Sequence, residues 1–134
     1  MTVIKSSFRR KSALVKALQK VDNGKWANAV EVSDEKCTMY GYDGATRPTK
    51  AEIIIRRKNV GGGSNDIGFT LEKDGTYSAI ISDYDSGRYN ENWLNKLLGK
   101  YSSATIEEVA MEQGFSFSEE EVNGEIFVTC ERSY

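Results

Sequence analysis

Hydrophobic and polar positions alternate through three consecutive runs between Lys50 and Asp85, and these runs predict the centre of the fold. In Ala51 to Lys58, Ile53 and Ile55 point one way while Glu52, Ile54 and Arg56 point the other. Three isoleucines in succession mark a strand covered, in part, on both faces. Asp66 to Lys73 alternates Ile67, Phe69 and Leu71, and Thr76 to Asp83 carries Tyr77, Ile80 and Ile81. The last two runs are joined by Asp74-Gly75, a dipeptide that accepts the positive φ angles of a tight hairpin turn. Asn59 to Asn65, with three glycines in a row, joins the first two and reads as a mobile hairpin loop.

Ahead of these runs, Thr2 to Phe8 alternates as a first strand. From Lys11 to Val21, Leu14, Leu18 and Val21 recur at i, i+4 and i+7, with lysines at 11, 16 and 20 on the wet side. Asn23-Gly24 ends that helix with a left-handed glycine cap. Trp26 just beyond reads as a plug over the helix end in preference to an exposed binding aromatic. Ala29 to Val32 and Lys36 to Tyr42 predict a short hairpin turned at Ser33 to Glu35, with Tyr40 and Tyr42 on one face. Gly44 and Pro48 then make Asp43 to Thr49 a loop.

Behind the central runs, Asp83 to Asn90 is a polar capping loop. Glu91 to Tyr101 predicts a helix with Trp93, Leu94, Leu97, Leu98 and Tyr101 on its apolar stripe. Gly99, Ser102 and Ser103 mark a kink or break, after which a helical face continues to Gly114, with Phe115 packing back. Asn123-Gly124 turns a closing hairpin that sets Phe117 opposite Cys130 and Glu119 opposite Val128. Cys130 then alternates with Ile126 and Val128 as a buried small hydrophobe, and Glu119 to Glu121 sit at a solvated hairpin end. The expected fold is α+β: a single domain over 1–134, a mainly antiparallel sheet of about six or seven strands, and two or three helices packed mostly on one face. Regular βαβ alternation is missing, which argues against a parallel sheet.

Composition narrows the function classes. A chain of 134 residues, 39% hydrophobic and 28% charged, suits one folded domain and excludes a disordered one. No apolar run approaches the roughly 20 residues of a membrane span, and Met1 to Arg10 lacks the apolar centre of a secretory signal, so a cytoplasmic location is expected. Cys37 and Cys130 form no C-x-x-C pair, so neither a zinc site nor a disulfide framework is indicated, and no cofactor is implied. The chain contains no histidine. It therefore lacks an imidazole metal ligand and the one side chain that titrates near neutrality unperturbed, which disfavours catalysis. No catalytic residue is assigned.

Two apparent motifs fail on inspection. The glycine-rich run Asn59 to Asn65 matches neither phosphate-loop pattern and precedes a strand, so no helix N-terminus faces an anion. Asp83-Tyr-Asp-Ser-Gly begins like a calcium loop, but the position that needs a bidentate glutamate holds Leu94.

Tyr40-Gly41-Tyr42, the run Lys50 to Arg56, Asp66-Ile67-Gly68-Phe69, Tyr101, Gln113-Gly114-Phe115, Glu119 to Glu121 and the strand ending near Arg132 follow a familiar order. The chain resembles the uncharacterised plastid and cyanobacterial proteins called conserved hypothetical chloroplast reading frame thirty-five, a domain-of-unknown-function family with bacterial relatives. It departs at Asn59 to Asn65, which is longer and glycine-richer here, and after Asp83, where relatives often carry tryptophan. The resemblance implies a one-domain α+β fold and supplies no catalytic residue.

Candidate ligand-binding residues are Tyr40, Tyr42, Arg47, Lys50 and Arg56, with Asp66, Asp83 and Tyr84 from neighbouring strand ends. Aromatic faces stack on bases and arginine forks hold phosphates. The reading is a non-catalytic module that binds a small anionic, nucleotide-type ligand, sequestration included, or a protein partner. The alternative is nucleic-acid binding through Arg9, Arg10, Lys11, Arg56, Arg57 and Lys58, against which the acidic C-terminal half weighs. An enzyme using Asp66, Asp83 or Asp85 as base beside Lys50 is the weakest reading. Open sheet edges make a homo-oligomer an expectation as well.

Overall fold

The computed structural model describes residues 2–122 and 125–132, with side chains described from Val3 to Gly114. Strands β1 (Thr2–Phe8), β2 (Val30–Tyr40), β3 (Thr46–Ile55), β4 (Ile67–Leu71) and β5 (Tyr77–Ile81) form one open sheet in the order β1-β5-β4-β3-β2. Every neighbouring pair in it is antiparallel. Helices α1 (Lys11–Gly24), α2 (Arg57–Val60) and α3 (Glu91–Glu112) complete the α+β domain.

The expectation of six or seven strands in one sheet is corrected to five. Strands β6 (Phe115–Val122) and β7 (Glu125–Arg132) pair only with each other. The cause is the length of α3: its 22 residues run unbroken through Gly99 and cover about 33 Å, whereas a five-residue strand covers about 17 Å. The helix therefore delivers the chain beyond the sheet. Leu97 and Ala104 are buried on either side of Gly99, and that packing outweighs the cost of about 1 kcal/mol for a helical glycine. In β6 and β7 the register sets Phe117 opposite Cys130 and Glu119 opposite Val128, as the sequence predicts. The Asn123-Gly124 turn, the burial of Cys130, the packing of Phe115 and the exposure of Glu119 to Glu121 lie outside the described residues.

Helix α1 buries Ala13, Leu14, Ala17, Leu18 and Val21. They meet Ile53, Ile55, Ile67, Phe69 and Leu97 in the main core, between the helices and one face of the sheet. The regular helix stops before Val21, and Asp22 (φ 55°), Asn23 (φ 59°) and Gly24 (φ 77°) all adopt left-handed backbone. The Trp93 indole donates to the Asp22 carboxylate at 2.9 Å and anchors this turn. Trp26 is buried as the plug the sequence suggests, its indole donating to the Asn59 carbonyl at 2.9 Å. It stacks on Tyr89 at 5.5 Å and meets Trp93 edge-on at 5.7 Å.

Ala51 to Ile55 are all buried, so β3 is covered on both faces as expected. On the face away from the main core, Met39, Ala51, Ile54 and Ile80 form a second apolar cluster. Gly68 makes this packing close: a Cβ there would sit 2.7 Å from Met39 Sδ and 2.8 Å from Ala51 Cβ.

Two sequence expectations around this sheet are corrected. There is no hairpin turn at Ser33 to Glu35; β2 is one strand and its turn lies at Gly41 to Ala45, where the Gly41 amide donates to the Ala45 carbonyl at 2.9 Å. Ser33, Asp34, Glu35 and Lys36 bulge out of the ladder opposite Glu52 alone. Lys36 then returns its ammonium to Glu52 at 3.2 Å, to the Thr70 hydroxyl and to the Leu71 carbonyl at 3.0 Å. Pro48 lies inside β3, in a second irregularity between the pairs Thr38–Lys50 and Tyr40–Thr46. There its missing N–H removes no ladder bond. The second correction concerns Asn59 to Asn65, which is no plain loop: Val60 enters the core, and Ser64 and Asn65 are buried.

Candidate functional site

The irregularities in β2 and β3 bring the outer part of their hairpin over the start of β4. There Met39 lies on Gly68, and the Asp66 amide donates to the Tyr40 carbonyl at 3.0 Å. Two adjacent residues hold this arrangement. The Asp66 carboxylate, 1% exposed, accepts from the Tyr40 amide at 2.9 Å, the Arg57 amide at 2.7 Å and the Arg56 guanidinium at 2.9 Å. The Asn65 carbonyl oxygen accepts from the Tyr42 amide at 2.9 Å and from Arg47 Nη2 at 3.2 Å. On its other side the Asn65 amide group donates to the Ser82 hydroxyl at 2.9 Å, and that hydroxyl donates to the buried Asp85 carboxylate at 2.8 Å.

Above Asn65 a cleft of about 570 Å³ opens between the β2–β3 turn and the end of β5, lined by Tyr42, Arg47, Pro48, Thr49, Gly63, Asn65, Ser82 and Tyr84. Tyr42 and Tyr84 are 61% and 69% exposed. Gly63 takes φ 73°, and a Cβ on it would lie 3.6 Å from the Tyr84 hydroxyl. Arg47 lies across Gly41 so closely that a Cβ there would be 2.0 Å from Nη2. This gives Tyr40-Gly41-Tyr42 a physical sense: the middle residue has no side chain because the Arg47 guanidinium occupies that space. Asp43 approaches Arg47 at 3.8 Å, leaving its charge partly answered.

Of the sequence-predicted residues, the structure brings Tyr42, Arg47 and Tyr84 together on the cleft. Tyr40, Arg56 and Asp66 form a neighbouring cluster whose polar groups are already engaged. Arg56 donates to Glu31 at 2.8 Å, to Asp66 at 2.9 Å and to the Thr38 carbonyl at 2.9 Å, and lies 5.6 Å from the Tyr40 ring centre. Burial opposes the Arg56 charge, but the bonds to Glu31 and Asp66 outweigh it and raise its pKa above 12.5. Lys50 and Asp83 are exposed and do not line the cleft. Asn65, Ser82 and Gly63 belong to the site without any signal in the hydrophobic pattern; only the position of Asn65 beside Asp66 at a strand end hinted at it.

The basic residues of the nucleic-acid reading are spread over several internal contacts. Arg9 donates to the Asp74 carbonyl at 3.0 Å, Arg10 to Glu112 at 2.8 Å and Lys11 to the Ser33 carbonyl at 2.6 Å. Among the described residues, no group of three or more Cys, Asp or Glu side chains is placed to hold a metal ion. No described helix is long and apolar enough to cross a membrane.

Residues 28–128 match the model of a family described as protein of unknown function (DUF1257), and the chain belongs to that family. The matched stretch contains every residue of the cleft. No curated protein and no solved structure matches the chain.

Proposed function

We propose that this member of the DUF1257 family is a non-catalytic binding module that takes a small anionic ligand of nucleotide type in the cleft between Tyr42 and Tyr84. One observation carries the reading: two exposed tyrosines and an arginine held on Asn65 share one cleft of about 570 Å³. That volume lies within the range of roughly 300–1,000 Å³ usual for small-molecule sites. The tyrosine rings offer stacking faces for a base, and Arg47 offers a fork for a phosphate. Asn65 and the gap at Gly41 fix the guanidinium before a ligand arrives, which lowers the ordering cost of binding. The carboxylates nearest the cleft, Asp66 and Asp85, accept hydrogen bonds from protein donors, an arrangement that suits holding a ligand over turning one over. The order of its sequence motifs supports reading the chain as a relative of the plastid reading-frame proteins.

The test is isothermal titration of the protein with a panel of nucleoside mono-, di- and triphosphates. At least one class binds saturably, and Tyr42→Ala or Tyr84→Ala weakens it by about 5- to 150-fold, the equivalent of about 1–3 kcal/mol per stacked base. Arg47→Ala weakens phosphorylated ligands and leaves the parent nucleoside little changed. Absence of binding across the panel, or equal binding by all three variants, refutes the proposal.

A further inference from the structure

We infer that the hollow between the end of α1 and the start of α3 is a second anion site, built for a diphosphate-type group, free or carried on a larger molecule. It encloses about 490 Å³, and Lys25, Arg88 and Lys96 line it with Asp22 as the single carboxylate. It shares no lining residue with the tyrosine cleft.

The charge pattern is the main argument. Elsewhere on the protein cations are answered by acids: Arg10, Lys11, Lys16, Lys36, Arg47 and Arg56 each approach a carboxylate within 4.0 Å. Among the described residues, Lys25, Arg88 and Lys96 make no ion pair. Asp22 does not neutralise them by pairing, because its Oδ2 accepts from the Trp93 indole. Lys25 and Arg88 are drawn towards one another by a shared neighbour: Lys25 Nζ lies 6.0 Å and the Arg88 guanidinium carbon 5.6 Å from the Tyr89 ring centre. Like charges gathered without a counter-charge repel, and an anion placed between them reverses the sign of that interaction.

The backbone adds to the same field. Asn90 caps α3 by accepting from the Trp93 amide at 3.0 Å, and the Leu94 amide bonds to the Asn90 carbonyl at 2.9 Å. The amides of Glu91 and Asn92 precede the first intrahelical bond, so the start of this 22-residue helix presents donors and the positive end of its dipole. Asn90 and Asn92 both line the hollow. The opposite wall is the left-handed run Asp22-Asn23, a conformation disfavoured in non-glycine residues and kept here by the Asp22–Trp93 bond.

The probe is inorganic pyrophosphate, titrated calorimetrically into the full chain at low ionic strength. Single-site binding is expected for the native protein. Arg88→Gln/Lys96→Gln lowers the affinity by at least about tenfold, since two charge-assisted contacts are lost. Lys73→Gln, an exposed lysine in the β4–β5 turn, and Tyr42→Ala/Tyr84→Ala bind as the native protein does. In an NMR titration the Trp93 indole proton shifts with the same saturation. All the substituted side chains are exposed, and melting curves confirm that each variant is folded. The inference is overturned if the native protein gives no saturable heat. It is also overturned if Arg88→Gln/Lys96→Gln binds unchanged, or if Lys73→Gln loses as much. Loss in the tyrosine double variant alone assigns the anion to the other cleft and also overturns it.

Discussion

Replacing Asp66 by asparagine tests the clamp beneath the tyrosine cleft. The carboxylate accepts three bonds, from the amides of Tyr40 and Arg57 and from the Arg56 guanidinium. Asparagine offers one acceptor oxygen, and its NH₂ group must face one of these donors. At least one charge-assisted bond, worth about 1.5–3 kcal/mol, is lost. Stripping a fully buried ion pair of one partner costs about 3–5 kcal/mol. Here Arg56 keeps Glu31 at 2.8 Å, and its side chain is 25% exposed. The cost therefore falls at about 2–4 kcal/mol, a large share of the 5–15 kcal/mol typical of a domain. Urea unfolding followed by fluorescence of the buried Trp26 and Trp93 reads it, with the denaturant slope unchanged. Asp43→Asn, which removes the 3.8 Å contact to Arg47 on the surface, is the control and moves stability by less than about 0.5 kcal/mol. A loss below about 1 kcal/mol for Asp66→Asn refutes the clamp.

Gly68→Ala drives a methyl against Met39 and Ala51 and destabilises by about 1–3 kcal/mol. Adding Ala51→Gly recovers part of that loss in the same unfolding assay, and a Gly68→Ala protein of native stability refutes the close packing. Hydrogen bonds from the Thr76 hydroxyl and amide hold the Asp74 pKa below its ordinary 3.8. In that region the unfolded chain binds more protons, so this contribution to stability is complete above the unfolded pKa and is lost as pH falls through the folded one. An NMR titration of the Asp74 carboxyl shows the depression, and Thr76→Val reduces it; an Asp74 that titrates identically in both proteins contradicts the assignment.

The parts of the fold visible in the sequence are those where one face repeats over several turns or strand pairs. Ile53, Phe69 and Tyr77 identify the three central strands, and Leu14 and Leu18 identify α1. The continuity of β2 was not legible because Ser33 to Lys36 has the composition of a turn, and only Glu52 and Thr70, distant in sequence, explain why the chain continues. The run from Asn59 was misread for a similar reason: Val60 is one apolar residue in a polar stretch, and its burial depends on the core beyond it. At the site, Tyr42, Arg47 and Tyr84 were legible as polar and aromatic groups near strand ends. Sequence did not reveal that Arg56 and Asp66 spend their charges on each other, because pairing is a property of distance. Asn65 and Ser82 carry no pattern at all; their importance comes from being buried together.

The place of β1 at the sheet edge bears on how the protein is made. Its partner is β5, and Thr2 pairs with Ile81, about 79 residues later. On a ribosome adding roughly 5–20 residues per second, some 4–16 seconds separate the two. The β3–β4 and β4–β5 pairs join strands adjacent in sequence and close soon after they emerge. During that interval β1 has an unpaired edge, and the apolar stripe of α1 has neither sheet nor α3 to cover it. The nascent N-terminal segment is thus the stretch of this chain with most need of a chaperone, although in the finished protein it is tied into the core.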